Sequence, residues 1–423
     1  MTGAASETER AEGGEGAAVE RLSYFAIVWA ELRKNRIAVL GMWCILGLFL
    51  VAVYAPLLAA NQPILYDGGH GLSAPLFAAL FNRLLFENAV DVFFNLLLVL
   101  SPLYAAIWFL ARRRAGPERF RRARARLAGA LAAFHLALFG LASPERLGPL
   151  ENPLHRSTAI VDYKAEVAHR RAAGEHVTAV FPPLRYAYQD TDPEKSVSPP
   201  DREHPLGTDT EGRDVLSRMI YGTRISLTIG VVAVAIYVAI GVALGALAGY
   251  FGGWVDGAIS RLIEVMICFP SFFLILTLAA LVQERSIFHV MVIIGITSWT
   301  GIARLVRAEF LKHKNLEYAQ AAVALGIPRR RIIFGHILPN AIAPVLVSAT
   351  FGIASAILIE SSLSFLGIGD VTVASWGETL NAGRIEGKLW LILAPGFAIF
   401  FVVTVFNLVG EGLRDALDPK LRT

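Results

Sequence analysis

The stretch KHKNLEYAQAAVALGIPRRRIIFGHILPN, Lys312 to Asn340, decides the fold: it lies between two long apolar runs yet carries polar and small residues throughout. Lipid cannot solvate its polar groups, so it belongs beyond the ends of the flanking membrane segments. Its local signals are helix, turn, helix. Asn315 is placed to cap the first helix, Glu317 falls in the first turn where the helix dipole favours a carboxylate, and Gly326 closes the turn. Pro328 opens a second helix, and Pro339, which disfavours helical geometry at Leu338, is expected to end it. Tyr318, Ala321, Ala322 and Leu325 recur at i, i+3, i+4 and i+7, giving one apolar, mostly small face that another protein's backbone can approach closely. An ordinary polar loop between two membrane helices is the competing reading.

Working outward, the composition fixes the class. With 55% hydrophobic and 17% charged residues among 423, and a mean hydropathy of +0.53, the chain is too apolar for a soluble protein. The reading is an all-α polytopic membrane protein, because helices satisfy their own backbone in lipid. The net charge of +4 and pI near 9.1 would suit nucleic acid, but arginines beside membrane spans account for them, so lipid and not nucleic acid is the expected contact. Cys44 and Cys268 fall inside apolar runs and act as small hydrophobes, with no disulfide or metal site indicated.

In chain order, residues 1–36 read as a cytoplasmic tail, disordered over Met1 to Glu20, and Arg33, Lys34 and Arg36 mark the inner flank of a first span at residues 37–60. Within residues 61–143, Leu72 to Phe86 is too short to span and reads as interfacial. Spans follow at Ala89 to Ala111 and Leu127 to Ala142, joined by the arginine-dense ARRRAGPERFRRARAR as a cytoplasmic loop. His135 has no companion at metal-ligand spacing and reads as a packed interface histidine. Residues 144–223 form an external segment, with a helix from Asp162 to Ala173 stopped by Gly174. An interfacial helix follows, with Val215, Leu216, Met219 and Ile220 on its apolar face. Five more spans occupy residues 224–413: Ile225 to Phe251, Val255 to Val282 with a kink at Pro270, Phe288 to Leu311, Ala341 to Leu363 and Leu389 to Leu413. Eight spans leave both termini, including the tail at 414–423, in the cytoplasm.

The central stretch resembles the EAA loop of binding-protein-dependent ABC importers: Ala321 and Ala322 supply the alanines, Gly326 the glycine, and Leu338 with Pro339 the end. Gln320 stands where the family usually has Glu, which removes a charge and keeps a hydrogen-bonding amide. The ending HILPN, His336 to Asn340, is similar to the dipeptide, oligopeptide and nickel branch. The stretch HPLGTDTEGRDVLSRMIYGTRISL, from His204, resembles the segment that precedes the transport core there. The resemblance implies a type I ABC importer transmembrane domain of the second-permease, C-type branch, in the bacterial inner membrane. The family pattern has six spans, which makes residues 61–143 an insertion bearing two extra helices. It implies that Glu317, Gln320, Ala321, Ala322, Gly326, His336, Leu338 and Pro339 seat against an ATPase subunit. The implied partners are a homologous but distinct permease, two ATP-binding subunits that carry ATP and Mg, and a periplasmic or lipid-anchored solute-binding protein. No cofactor is expected on this chain. Arg329, Arg330 and Arg331 read first as a cytoplasmic-side marker and second as contacts to an acidic partner.

Inside the membrane, Glu360 in IESSLSFLGIG must be paired, solvated or protonated. Two readings stand: a helix-stabilising hydrogen bond, or a position that with Ser364 lines the passage or its gate. Arg261 and Glu264 are spaced to pair, and Arg304 and Arg307 to snorkel. The chain has no phosphate-cradling G-x-x-x-x-G-K-[ST], no H-E-x-x-H and no G-x-S-x-G, so no catalytic residue is assigned and transport energy must come from a partner. An ion-coupled secondary transporter is the alternative, and needs paired buried charges or interrupted helices. A membrane enzyme would need a convergent polar site. Peptides, nickel complexes and oligosaccharides are all compatible with the family as cargo.

Overall fold

The computed structural model describes residues 24–69, 71–82, 84–142, 160–282 and 286–417, so the tail expected at residues 1–20 and the last residues of the C-terminal tail lie outside it. Among the described residues seven helical segments are long and apolar enough to cross a membrane, or eight if a pair bent by 81° is one span. Among the described residues the helices are, in order, α1 (Tyr24–Leu32), α2 (Arg36–Leu58), α3 (Pro75–Ala79), α4 (Ala89–Ala142), α5 (Tyr163–Ala172), α6 (Val215–Phe251), α7 (Gly253–Cys268) and α8 (Ser271–Leu281). There follow α9 (Ile287–Thr297), α10 (Thr300–Lys314), α11 (Glu317–Ala324), α12 (Arg329–Arg331), α13 (Leu338–Ala341), α14 (Ala343–Phe365), α15 (Trp376–Glu386) and α16 (Leu389–Leu417).

Helix α6 is the axis. It packs along α2, α9, α10 and α14. Gly241, Gly245 and Gly249 recur every fourth residue on the side facing α10, and a Cβ there would sit 2.6 Å from Ile302 Cβ, 2.5 Å from the Ala303 carbonyl and 2.6 Å from Phe310 Cβ. Close backbone approach through small residues is how helices associate where lipid removes the usual hydrophobic drive.

A buried charge ties the outer half together. Arg224 of α6 has no exposed surface. Its Nη1 donates to Asp91 Oδ1 of α4 at 2.8 Å, its Nη2 to Asn95 Oδ1 at 2.9 Å, and its Nε to the Ala52 carbonyl of α2 at 2.7 Å. That carbonyl is free because Pro56, four residues on, has no N–H to offer it. Tyr188 completes the shell by donating to Asp91 Oδ2 at 2.9 Å.

The chain departs from the sequence expectations in several places, each with a local cause. The interfacial helix and the first core span are one 37-residue helix, because no residue between Ile220 and Ile225 breaks it and Gly222 is used for contact with Trp376. The arginine block is helical and not a loop; α4 runs through it and turns only at Gly116, where φ is +70°. Pro270 separates α7 from α8 by an 81° bend, a break and not a mild kink. Leu72 to Phe86 forms a strand and the short helix α3. An otherwise helical chain carries a small antiparallel sheet, in which β1 (Leu65–Asp67) is flanked by β2 (Leu72–Ser73) and β3 (Thr178–Val180). Arg307 does not simply snorkel: its Nη2 reaches Asp256 Oδ2 at 2.7 Å. His135 is buried, 3.2 Å from the Tyr104 hydroxyl and edge-on to Phe93.

Removing Asp91 strands the Arg224 guanidinium and the Tyr188 hydroxyl. Asp91→Ala is expected to lower stability by about 3–5 kcal/mol, and Asp91→Leu with Arg224→Met to recover most of it. Thermal unfolding in detergent checks this, and an Asp91→Ala protein as stable as wild type would contradict it.

Candidate functional site: a helical knob beyond the membrane end

Residues 312–340 form a compact helical knob. Helix α10 stops at Lys314, whose Nζ donates to the Tyr250 carbonyl at 2.6 Å and so anchors the knob to the far end of α6. Asn315 closes α10 and does not cap α11; its side chain turns back to the Leu311 carbonyl at 3.1 Å. The start of α11 is closed instead by Gln320, whose Nε2 donates to the Asn315 carbonyl at 3.2 Å, a bond that a Glu carboxylate could not donate. Glu317 lies exposed in the first turn of α11, in the favourable field of the N-terminus.

The turn after α11 depends on Gly326, at φ +70°, with its N–H on the Val323 carbonyl at 3.0 Å and Ile327 N–H on the Ala322 carbonyl at 3.1 Å. Beyond Pro328 the backbone stays helical to Ala341 through a π-turn, Ile332–Ile337. Pro339 therefore does not end the second helix. It sits in the first turn of α13, and Leu338 keeps right-handed helical geometry at φ −55°, ψ −43°. The π-turn shifts the bonding register just ahead of the proline, and Asn340 Nδ2 caps the His336 carbonyl at 2.7 Å.

The knob has its own small core and a bare outer face. Ala319, Ala322, Ile332, Ile333 and Ile337 are buried. Of the four residues expected on one face, only Ala322 turns inward; Tyr318, Ala321 and Leu325 face out, because α11 rests on the π-turn along its 319/322 edge. Leu325 is 79% exposed, Phe334 66% and Val323 60%. Arg329, Arg330 and Arg331 are exposed beside them, His336 and Leu338 are half-buried, and Gly326 and Pro339 lie at the surface.

Glu360 and Ser364 lie elsewhere, in α14. Glu360 is 1% exposed, and its Oε1 accepts from Ser364 Oγ at 2.8 Å and Ser375 Oγ at 2.7 Å. Ser375 also caps α15, accepting from Gly377 N–H at 3.1 Å, so the carboxylate fastens α14 to the N-terminus of α15. Sequence reasoning missed the charges that hold α15 from its other side. Arg213 donates to Asp209 at 2.7 Å, and Arg218 is ion-paired with Asp209 and Glu378. The available signal was Arg218 and Arg224 in an otherwise apolar helix, with Arg213 just ahead of it, each of which needs a counter-ion. Buried charge pairs and one interrupted helix are therefore present, the features a secondary transporter would need, yet each Arg224 nitrogen already donates to a partner within the chain.

Glu360→Gln keeps an oxygen that accepts both serine hydroxyls and is expected to be near neutral for stability. Glu360→Ala strands those hydroxyls and is expected to cost about 1–3 kcal/mol by thermal unfolding. Equal stability of the alanine variant would remove the proposed fastening.

Two family models match the chain: the binding-protein-dependent transport system inner membrane component over residues 241–423, and the N-terminal TM domain of oligopeptide transport permease C over residues 23–75. The chain is 41% identical over 250 residues to the dipeptide transport system permease protein DppC of Alkalihalophilus pseudofirmus, covering 58% of this chain and 82% of that protein. It is 45% identical over 245 residues to the oligopeptide transport system permease protein OppC of Escherichia coli K12, covering 56% and 80%. A chain from inward-facing MetNI methionine ABC transporter structures aligns with 48% of this chain and 97% of its own length, at TM-score 0.41 and 16% identity. The chain belongs to the family of binding-protein-dependent ABC importer permeases, in the branch of the oligopeptide and dipeptide C-type permeases, as a non-catalytic, multi-pass inner-membrane subunit whose ATPase is a separate chain.

Proposed function

We propose that this chain forms half of a passage for peptides, pairs with a homologous but distinct permease, and is driven through the knob at residues 312–340 by two ATPase subunits that carry ATP and Mg. A solute-binding protein delivers cargo on the opposite side. The observation that carries the reading is the bare face of the knob: Val323, Leu325 and Phe334 stand exposed beyond the membrane end, beside a cationic rim, on a segment with its own packed core. A surface of that kind is stable in water only when a partner covers it.

In this reading Glu317, Gln320, Ala321, Ala322, Gly326, His336, Leu338 and Pro339 build the docking element. Lys314 on the Tyr250 carbonyl and the contact of α10 with α6 transmit its movement to the core spans. Glu360 and Ser364 serve the passage as the joint that sets α15 against α14, and not as ligands for solute. The knob end is cytoplasmic, as are both termini, by the arginines beside it and before the first span.

Gly326 gives a clean test, because beyond its own chain neighbours no atom of the described residues lies within 4 Å of where its Cβ would be. Gly326→Arg is expected to insert normally and to lose ATPase association and peptide uptake together. Gly326→Asn, which tolerates the left-handed backbone, is expected to keep a substantial part of both. Co-purification with the ATPase and uptake in vesicles are the readouts, and uptake by Gly326→Arg without bound ATPase would sink the reading.

A further inference from the structure

The end of α6 remote from the knob carries a cleft of about 580 Å³, built by α5, β3 and the loop that follows them. Thirty-seven residues of helix separate the two ends, about 55 Å at 1.5 Å per residue, so cleft and knob lie on opposite sides of a bilayer. The cleft wall is cationic. Arg171, Arg185 and Arg202 line it, are exposed, and have no carboxylate at ion-pair distance among the described residues. Lys164 adds a fourth cation, with its Nζ 3.8 Å from the centre of the Tyr186 ring. Burial pushes this ammonium below its ordinary pKa, against the opposing pull of Asp190 and Asp162. The one lining carboxylate, Glu203, is already engaged by Lys195. Three arginines without an ion-pair partner among the described residues stand around a concavity and make a positive focus there. Behind them Val167, Phe181 and Leu184 supply an apolar wall.

Resting on the permease reading above, we propose that this cleft receives a carboxylate-bearing loop of the solute-binding protein, and so orients that protein over the passage. Guanidinium groups pair with carboxylates in a planar, two-bond geometry, and the apolar wall suits the side-chain stems between the charges. Docking by charge raises the association rate and falls with salt.

The test uses the complete transporter in nanodiscs, with ATPase activity followed while the purified, liganded solute-binding protein is titrated in. Combined Arg171→Gln, Arg185→Gln and Arg202→Gln replacement is expected to raise the half-maximal concentration tenfold or more at low ionic strength, with the rate at saturation retained and the gap narrowing as salt is added. Each single replacement is expected to raise it about two- to threefold, which serves if the triple variant folds poorly. An unchanged half-maximal concentration overturns the proposal. So does an equal shift from Arg112→Gln, Arg113→Gln and Arg114→Gln at the kink of α4. A raised KM confined to acidic peptide cargo also overturns it, by assigning the cleft to cargo. If the wild-type ATPase is not stimulated by the solute-binding protein at all, the importer reading itself fails and takes this inference with it.

Discussion

Arg224 carries a charge with no exposed surface, and the arrangement of the outer half of the molecule follows from the need to solvate it. A guanidinium in an apolar interior is tolerated only when its nitrogens are paired. The pairing comes from three places far apart in sequence: a carbonyl of α2 freed by Pro56, the Asp91 and Asn95 side chains of α4, and Tyr188, which orders Asp91 from the external segment. Helix α4 is thus no appendage. Its first half supplies the counter-ion of a residue in the axial helix α6, so α4, the first span and α6 share one interaction.

The same axis joins two ends of different character. At one, charges are buried and ion-paired, with Arg213, Arg218, Asp209 and Glu378 holding α15 against α6 while Glu360 holds it against α14. At the other, the knob buries only small and branched side chains and leaves leucine, valine and phenylalanine bare. The glycine stripe of Gly241, Gly245 and Gly249 lets α10 lie close against α6. In the proposed importer this close contact carries movement of the knob to the core.

Much of this was legible in the sequence, and the failures have physical causes. Apolar length and arginine flanks marked the spans, and Gly326 announced its turn because few residues other than glycine adopt a positive φ there. Glu317 fell in the first turn of α11 as read, while the bond from Gln320 to the Asn315 carbonyl was not foreseen. Boundaries failed where tertiary contact overrode a local signal. Pro339 did not stop its helix because the π-turn ahead of it re-registers the bonds, and Asn315 closed the preceding helix instead of capping the next. The face of α11 was mis-rotated because alanines at 319, 321 and 322 leave the direction of burial undetermined by periodicity. The sheet was invisible because its strands are two or three residues long, with partners at 65–67 and 178–180 more than a hundred residues apart. The buried charge pairs needed both partners in view: two arginines in one helix and a third just before it signal a demand for carboxylates, but not which carboxylates meet it.

In the proposed importer the chain is a passive half-passage moved by an ATPase. The most direct measurement is uptake of a labelled oligopeptide into vesicles holding the complete complex, with and without internal ATP, and with ionophores that collapse every ion gradient. Uptake is expected to require ATP and the solute-binding protein and to be indifferent to the ionophores. Uptake by this chain alone, without ATP and abolished by the ionophores, would contradict it.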